Sequence, residues 1–316
     1  MKTPTAIVDK SLLQRICDLP ELQSNECLSH LQQRYRVIVP LVLHEEVLSN
    51  CVQLPRGRSE AVIAKMINYL KELHPFWMQD VYEIAYRELV EENDLSVLPW
   101  LSEEHQDRIL KFDAEDTNFR QWLAERNADR EEQTLNRKLW QKEKIEPGKF
   151  FVARDEKEFC LTIGNLLLHK LSKATSRNDL LDTFLGKIFL KRHPGKKAAI
   201  TDALRKIDET NINDFKFSRN FLIASLVYLL APISKVLDPI DPARPPQKLL
   251  DRQDQGNNFE DQEYVVSAFL CNRLITADAA MAKVKQMIQS VGWWGGNTIF
   301  IDRNIDIKDQ IPTRLT

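Results

Sequence analysis

The chain is poor in glycine, has no C-x-x-C pair, and has no uninterrupted apolar stretch long enough to span a membrane. Nine glycines and 14 prolines in 316 residues exclude a collagen-like chain, which needs far more of both. Cys17, Cys27, Cys51, Cys160 and Cys271 are odd in number and widely scattered, which argues against a disulfide framework or a zinc site. The six histidines show no H-x-x-x-H spacing and read as surface or core imidazoles. The longest apolar run, Phe221 to Ile233, is broken by Ser225 and Pro232 and falls short of the roughly 20 residues that cross a bilayer. The N-terminal segment reaches Asp9 after only a short apolar stretch, so it lacks the apolar core of a secretory signal. A cytoplasmic protein without a membrane span is expected.

What is present describes a folded chain. Hydrophobic residues make up 43% and charged residues 28%, a composition that can bury a core. The net charge of −2 gives no overall attraction to nucleic acid, but the charge is unevenly placed. Ser102 to Glu132 holds ten acidic and five basic side chains, whereas Gly186 to Lys206 holds seven basic and one acidic. A polyanion responds to such local sign.

The two ends of the chain alternate between strand and helix patterns. TAIV (Thr5 to Val8) is a β-prone run, and Ser11-x-x-Gln14 behind it resembles a capping box that opens a helix. VIVPLVL (Val37 to Leu43) is a second apolar run passing into a helical pattern. LIT (Leu274 to Thr276) precedes a helix-spaced stretch over Ala279 to Ile288, and TIFID (Thr298 to Asp302) follows the turn signal GWWGG. Such alternation predicts an α/β fold with a mostly parallel sheet flanked by helices, because parallel neighbours need crossovers. LSVLPW (Leu95 to Trp100) is a further short β-capable segment. Otherwise the middle is helix-periodic, as at Phe159, Ile163, Leu166 and at Leu181, Phe184, Leu185, Ile188. Five prolines crowd into Pro232 to Pro246 and mark a loop or linker. The simplest partition is a discontinuous α/β core, residues 1–112 plus 256–316, interrupted by an all-helical insertion over 113–255.

Acidic residues stand where the apolar strands end or the next helices begin: Asp9, the pair Glu45/Glu46, Asp261 and Asp278. In an open α/β sheet the carboxyl ends of adjacent strands converge on one crevice, so these acids are expected to meet. Each has an ordinary explanation alone, a helix cap for the aspartates and a solvent-facing charge for the glutamates. Together, with no lysine or arginine among them, they repel, and a hard divalent cation is the natural reason to gather them. Mg²⁺ or Mn²⁺ is implied, with phosphodiester hydrolysis as the chemistry such an ion serves.

These segments resemble the PIN-domain nucleases. AIVDKSLL is similar to the family's opening strand ending in Asp, VIVPLVLHEEVL to its second strand and glutamate-bearing helix, and DQEYVVSAFLCNRLITADAAM to its most diagnostic stretch, where Ala268 follows the helix-opening acid and Thr-x-Asp follows the strand. The likeness covers about half of the chain. It implies metal-ligating or water-positioning roles for Asp9, Glu46, Asp261 and Asp278, with Ser11 and Thr276 orienting carboxylates or water. Glu45 competes with Glu46, which better fits a glutamate followed by apolar residues, and Glu263 is a supplementary acid. The expected activity is a Mg²⁺- or Mn²⁺-dependent nuclease, an endoribonuclease first and a deoxyribonuclease second, in the role of toxin, defence effector or RNA-processing enzyme. A PIN-like scaffold binding nucleic acid or protein without cleavage is the alternative. The chain departs from the family in its long insertion and in CNRL, where a short glycine-containing turn is common.

Three further features complete the reading. Lys187, Lys191, Arg192, Lys196 and Lys197 form a basic cluster suited either to gripping phosphates or to a solvated helix face. Trp293 and Trp294 suit either core packing or base stacking. The Phe221 to Leu230 segment is the insertion's buried centre or a face for a protein partner or a second copy.

Overall fold

The computed structural model describes residues 3–43, 46–47, 60–73, 76–92, 184–206, 214–230, 258–290, 296–302 and 305–311, together with Gln121, Ala124, Glu125, Ala128, Glu158 and Leu161. LSVLPW, Glu45, Trp293 and Trp294 lie outside them.

The first strand, β1 (Thr5–Val8), is followed by α1 (Lys10–Cys17), α2 (Glu21–Arg34) and β2 (Arg36–Val39). Val37 to Leu43 is not one strand. Pro40 has no N–H to give to a ladder, the strand stops at Val39, and residues 41–43 and 46–47 are helical. Next come α3 (Glu60–Glu72), the two-residue β3 (Phe76–Trp77) and α4 (Val81–Leu89). The described middle of the chain holds α5 (Phe184–Arg192), α6 (Lys197–Lys206) and α7 (Lys216–Leu230). The C-terminal part adds α8 (Asn258–Ser267), β4 (Arg273–Thr276), α9 (Ala279–Ser290), β5 (Asn297–Phe300) and a short α10 (Ile307–Gln310).

The five strands form one all-parallel sheet in the order β3-β2-β1-β4-β5. Ala6, Ile7, Ile38, Val39, Leu274 and Ile275 are fully buried, as expected of parallel strands covered on both faces. The chain first moves outward from β1 through β2 to β3, then returns to the other side of β1 through β4 to β5. Right-handed crossovers therefore put α1, α2 and α3 on one face and α4, α8 and α9 on the other, and α1 packs on α2 and α3 while α8 packs on α4 and α9. The sense of winding reverses between β1 and β4. In open α/β sheets the crevice beyond the carboxyl ends of the strands at such a switch point is where ligands bind.

At the opposite end of these two strands Asn272 does the work of a turn residue. Its Oδ1 accepts from the Thr5 N–H at 2.9 Å, and its own N–H donates to the Thr5 carbonyl at 3.1 Å. This accounts locally for a CNRL turn without glycine.

The described helices between 184 and 230 share the sheet's core. Phe189 meets Tyr86 edge to face with centroids 5.5 Å apart, and Phe221 meets Tyr82 likewise at 5.2 Å. The buried Glu88 on α4 accepts hydrogen bonds from the Phe217 and Ser218 N–H groups at 3.0 and 2.7 Å and from the Ser218 hydroxyl at 2.6 Å. A carboxylate from one helix thus caps the N-terminus of another. Phe221, Ile223 and Ala224 are buried, and α7 packs directly on α8. Among the described residues no helix is long and apolar enough to cross a membrane.

Candidate functional site

Asp9 follows β1 directly. It caps α1, its Oδ1 accepting from the Leu12 N–H at 2.9 Å. The capping box expected at Ser11 is therefore misplaced by two residues: Ser11 lies inside the helix, and its hydroxyl donates to Oδ2 of Asp9 at 2.6 Å. The same oxygen accepts from the Thr276 hydroxyl at 2.6 Å. Thr276 ends β4, so this bond ties the ends of the two central strands together. Backbone donors extend the link, from Ala277 N–H to the Ser11 hydroxyl at 3.1 Å and from Asp278 N–H to the Thr276 hydroxyl at 2.9 Å.

Asp278 repeats the Asp9 arrangement at the next strand end. Its Oδ1 accepts from the Met281 N–H at 2.8 Å, which caps α9. Both aspartates are helix caps, and both also belong to the cluster, because a cap occupies one carboxylate oxygen. Asp261 stands in the first turn of α8, inside the helix and not at its cap. Among the described residues its carboxylate takes no hydrogen bond or ion pair.

Electrostatics shows how the acids gather. Burial pushes Asp9 from 3.8 up to about 6, against hydrogen bonds from Ser11, Thr276 and Leu12 that pull it down, with Asp278 adding repulsion. Asp261 is held well above the usual carboxylate range, first by burial and then by repulsion from Asp278, Glu46, Glu260 and Asp9. The four acids that the sequence pattern marks thus act on one another at one end of the sheet. Glu260 is a fifth that the pattern does not mark. Glu263 is buried and does not figure among the charges acting on Asp261; two residues along, it points about 200° around the helix.

Glu46 has partners that the sequence pattern does not reveal. The expectation of a cluster without lysine or arginine does not hold: the Lys10 ammonium lies 3.3 Å from Oε1 of Glu46. Oε2 accepts from the Tyr264 hydroxyl at 2.7 Å. Tyr264 is buried, and its hydroxyl is pushed well above its ordinary range by burial and by Glu46, Asp9 and Asp261. Both partners carry a findable signal. Lys10 directly follows the strand-ending acid, and Tyr264 lies three residues after Asp261, on the same helix face.

The donor chemistry fits a hard divalent cation. The acids offer oxygens only, and Asp261, without a hydrogen-bond or ion-pair partner among the described residues, is pressed by like charges that an ion would relieve. Among the described residues, however, no three His, Cys, Asp or Glu side chains are gathered closely enough to hold an ion as they stand. Asp9, Asp261 and Asp278 are the residues that would hold one, and Glu46 would join them by giving up its contact with Lys10.

The basic cluster is divided. Arg192 lies 2.9 and 3.2 Å from the two oxygens of Asp80 on the residue before α4 and covers the Tyr82 ring at 4.7 Å. His193 stacks on Tyr86 at 3.9 Å and places Nε2 3.2 Å from Glu83. These interactions dock α5 on α4. Lys187, Lys191, Lys196 and Lys197 are exposed. A surface recess of about 440 Å³ lined by Asn25, Leu28, Ser29, Gln32, Lys71 and Glu72 contains none of the acids.

No family model, no curated protein and no solved structure matches this chain.

Proposed function

We propose that the protein is a Mg²⁺- or Mn²⁺-dependent PIN-like nuclease, with RNA as its first substrate and DNA as its second. One observation carries the reading. Asp9, Glu46, Asp261 and Asp278, drawn from distant parts of the sequence, act on one another at the carboxyl ends of strands beside the switch point, and one of them has no partner among the described residues. Repulsion of that kind is costly unless a proton or a cation relieves it. The sequence likeness to PIN-domain nucleases supports the same residues in the same order.

A divalent cation bound there would polarise water and stabilise charge on a leaving oxygen of a phosphodiester. The chain's own groups prepare the site. Ser11 and Thr276 fix the Asp9 carboxylate by two short hydrogen bonds, and the caps at Leu12 and Met281 fix which oxygen of each aspartate turns away from its helix. Asp261 is held with no competing partner among the described residues. The exposed lysines between 187 and 197 supply positive charge for a polyanion that the acids repel. The helical segment that carries them serves substrate or partner selection.

A second reading is a PIN-like scaffold that binds nucleic acid or protein without cutting it. The observation favouring it is the prior engagement of Glu46 by Lys10 and Tyr264. Incubating the purified protein and Asp278→Asn with total RNA and with single-stranded DNA, in Mn²⁺ and in EDTA, separates the two. Cleavage in Mn²⁺ that is absent in EDTA and in the variant supports the nuclease; binding without cleavage under every condition supports the scaffold.

A further inference from the structure

Lys10 occupies an electrostatically poor position. It is the first residue of α1, where exposed N–H groups carry partial positive charge that disfavours a cation, and beyond the Asp9 cap the first turn holds no acid. Its ammonium instead reaches Glu46, 3.3 Å away, with side-chain exposures of 27% and 17% for the two residues. The charges acting on Asp261 are all carboxylates. Lys10 therefore brings a positive charge to the edge of a site that otherwise accumulates negative charge.

We infer that Lys10 is a resident counter-ion which competes with the divalent cation for Glu46. This rests on the reading of the acids as a cation site. In the structure the ammonium pairs with Glu46 while Tyr264 fixes the other carboxylate oxygen. A cation that recruits Glu46 displaces the Lys10 ammonium into solvent. The exchange weakens binding of the ion by the strength of the pair given up, and the pair limits the repulsion among the acids when no ion is bound. A lysine that merely braced the fold would do neither: its removal would lower stability and leave ion affinity unchanged or reduced.

The test compares the full-length protein with Lys10→Met, which keeps the length of the side chain without its charge, and with Lys10→Arg, which keeps the charge. Mn²⁺ affinity is read by titration calorimetry and stability by thermal unfolding in EDTA. Lys10→Met is expected to bind Mn²⁺ about two- to fivefold more tightly, the value of a partly exposed ion pair, while unfolding at a lower temperature in EDTA. Lys10→Arg is expected to follow the wild type in both. Mn²⁺ affinity in Lys10→Met equal to or weaker than that of a wild type that binds the ion overturns the role of Lys10 alone. If neither protein takes up Mn²⁺, the cation-site reading falls and the competition falls with it.

Discussion

The hydroxyl of Thr276 donates to the carboxylate of Asp9 at 2.6 Å across 267 residues of sequence, joining the ends of the two central strands. It also accepts the Asp278 N–H at 2.9 Å, so one side chain positions two of the acids. Thr276→Val keeps the shape and removes both bonds inside a fully buried site. The expected loss is about 1.5 to 3 kcal/mol, that of a buried hydrogen bond to a charged group, read by urea denaturation. The Asp9 carboxyl should rise above its value of about 6, because a bond that favours its charged form is gone. Carboxyl titration by carbon NMR checks this.

Asp9 also dictates a pH dependence in the absence of metal. Below about pH 3.8 its carboxyl is protonated in both the folded and unfolded chain and contributes nothing. Between 3.8 and about 6 the unfolded chain releases its proton first, so this group lowers stability as pH rises. The full loss, about 3 kcal/mol at 1.36 kcal/mol per pH unit, is present above pH 6. Asp9→Asn removes the ionisation. Relative to the wild type, it should gain stability progressively between pH 4 and 7 in EDTA, while the two stay parallel below pH 4. A difference that does not vary across that range would contradict the burial argument.

Asp278→Asn and Asp261→Asn isolate charge from structure. Asn caps a helix about as well as Asp, so the bond to the Met281 N–H survives at 278, and Asp261 has no hydrogen bond to lose among the described residues. Each variant removes one member of a repelling set, so stability in EDTA should rise. The stabilisation that Mn²⁺ gives by binding the folded form should shrink, and cleavage should be lost. Wild-type cleavage in either variant would remove that residue from the site.

How much of this is legible in the sequence depends on the range of each interaction. β1 and β4 are short apolar runs ending at an acid, and that local pattern locates Asp9, Thr276 and Asp278. β2 is shorter than its apolar run because Pro40, apolar in composition, cannot donate to a ladder. β3 leaves no sequence signal because two residues carry no periodicity. The pattern names the site's acids but cannot rank their partners: Lys10 and Tyr264 meet Glu46 only once β1, the helix after β2 and α8 converge. Arg192 is the clearest case. In sequence it belongs with its basic neighbours, and only the docking of α5 on α4 brings it to Asp80, 112 residues away.

That docking predicts two kinds of cation within one cluster. Arg192 is half-buried, faces both oxygens of Asp80 and lies over Tyr82, so Arg192→Ala should cost about 1 to 2 kcal/mol after allowance for its exposure. Asp80→Asn should cost a similar amount, and the double variant less than the sum of the two, as expected for touching partners. Lys187, Lys191, Lys196 and Lys197 are exposed, and replacing Lys187, Lys196 or Lys197 with alanine should change stability by less than about 0.5 kcal/mol each. If these lysines track a nucleic-acid backbone, the variant with all four replaced by alanine binds single strands more weakly, and its salt dependence flattens by about 0.7 for each phosphate no longer neutralised. Measuring affinity for a short RNA at several salt concentrations, beside chemical denaturation of the same variants, reads both effects. An unchanged slope in the lysine variant would make those side chains a solvated surface and return the search for the substrate groove to the sheet's carboxyl edge.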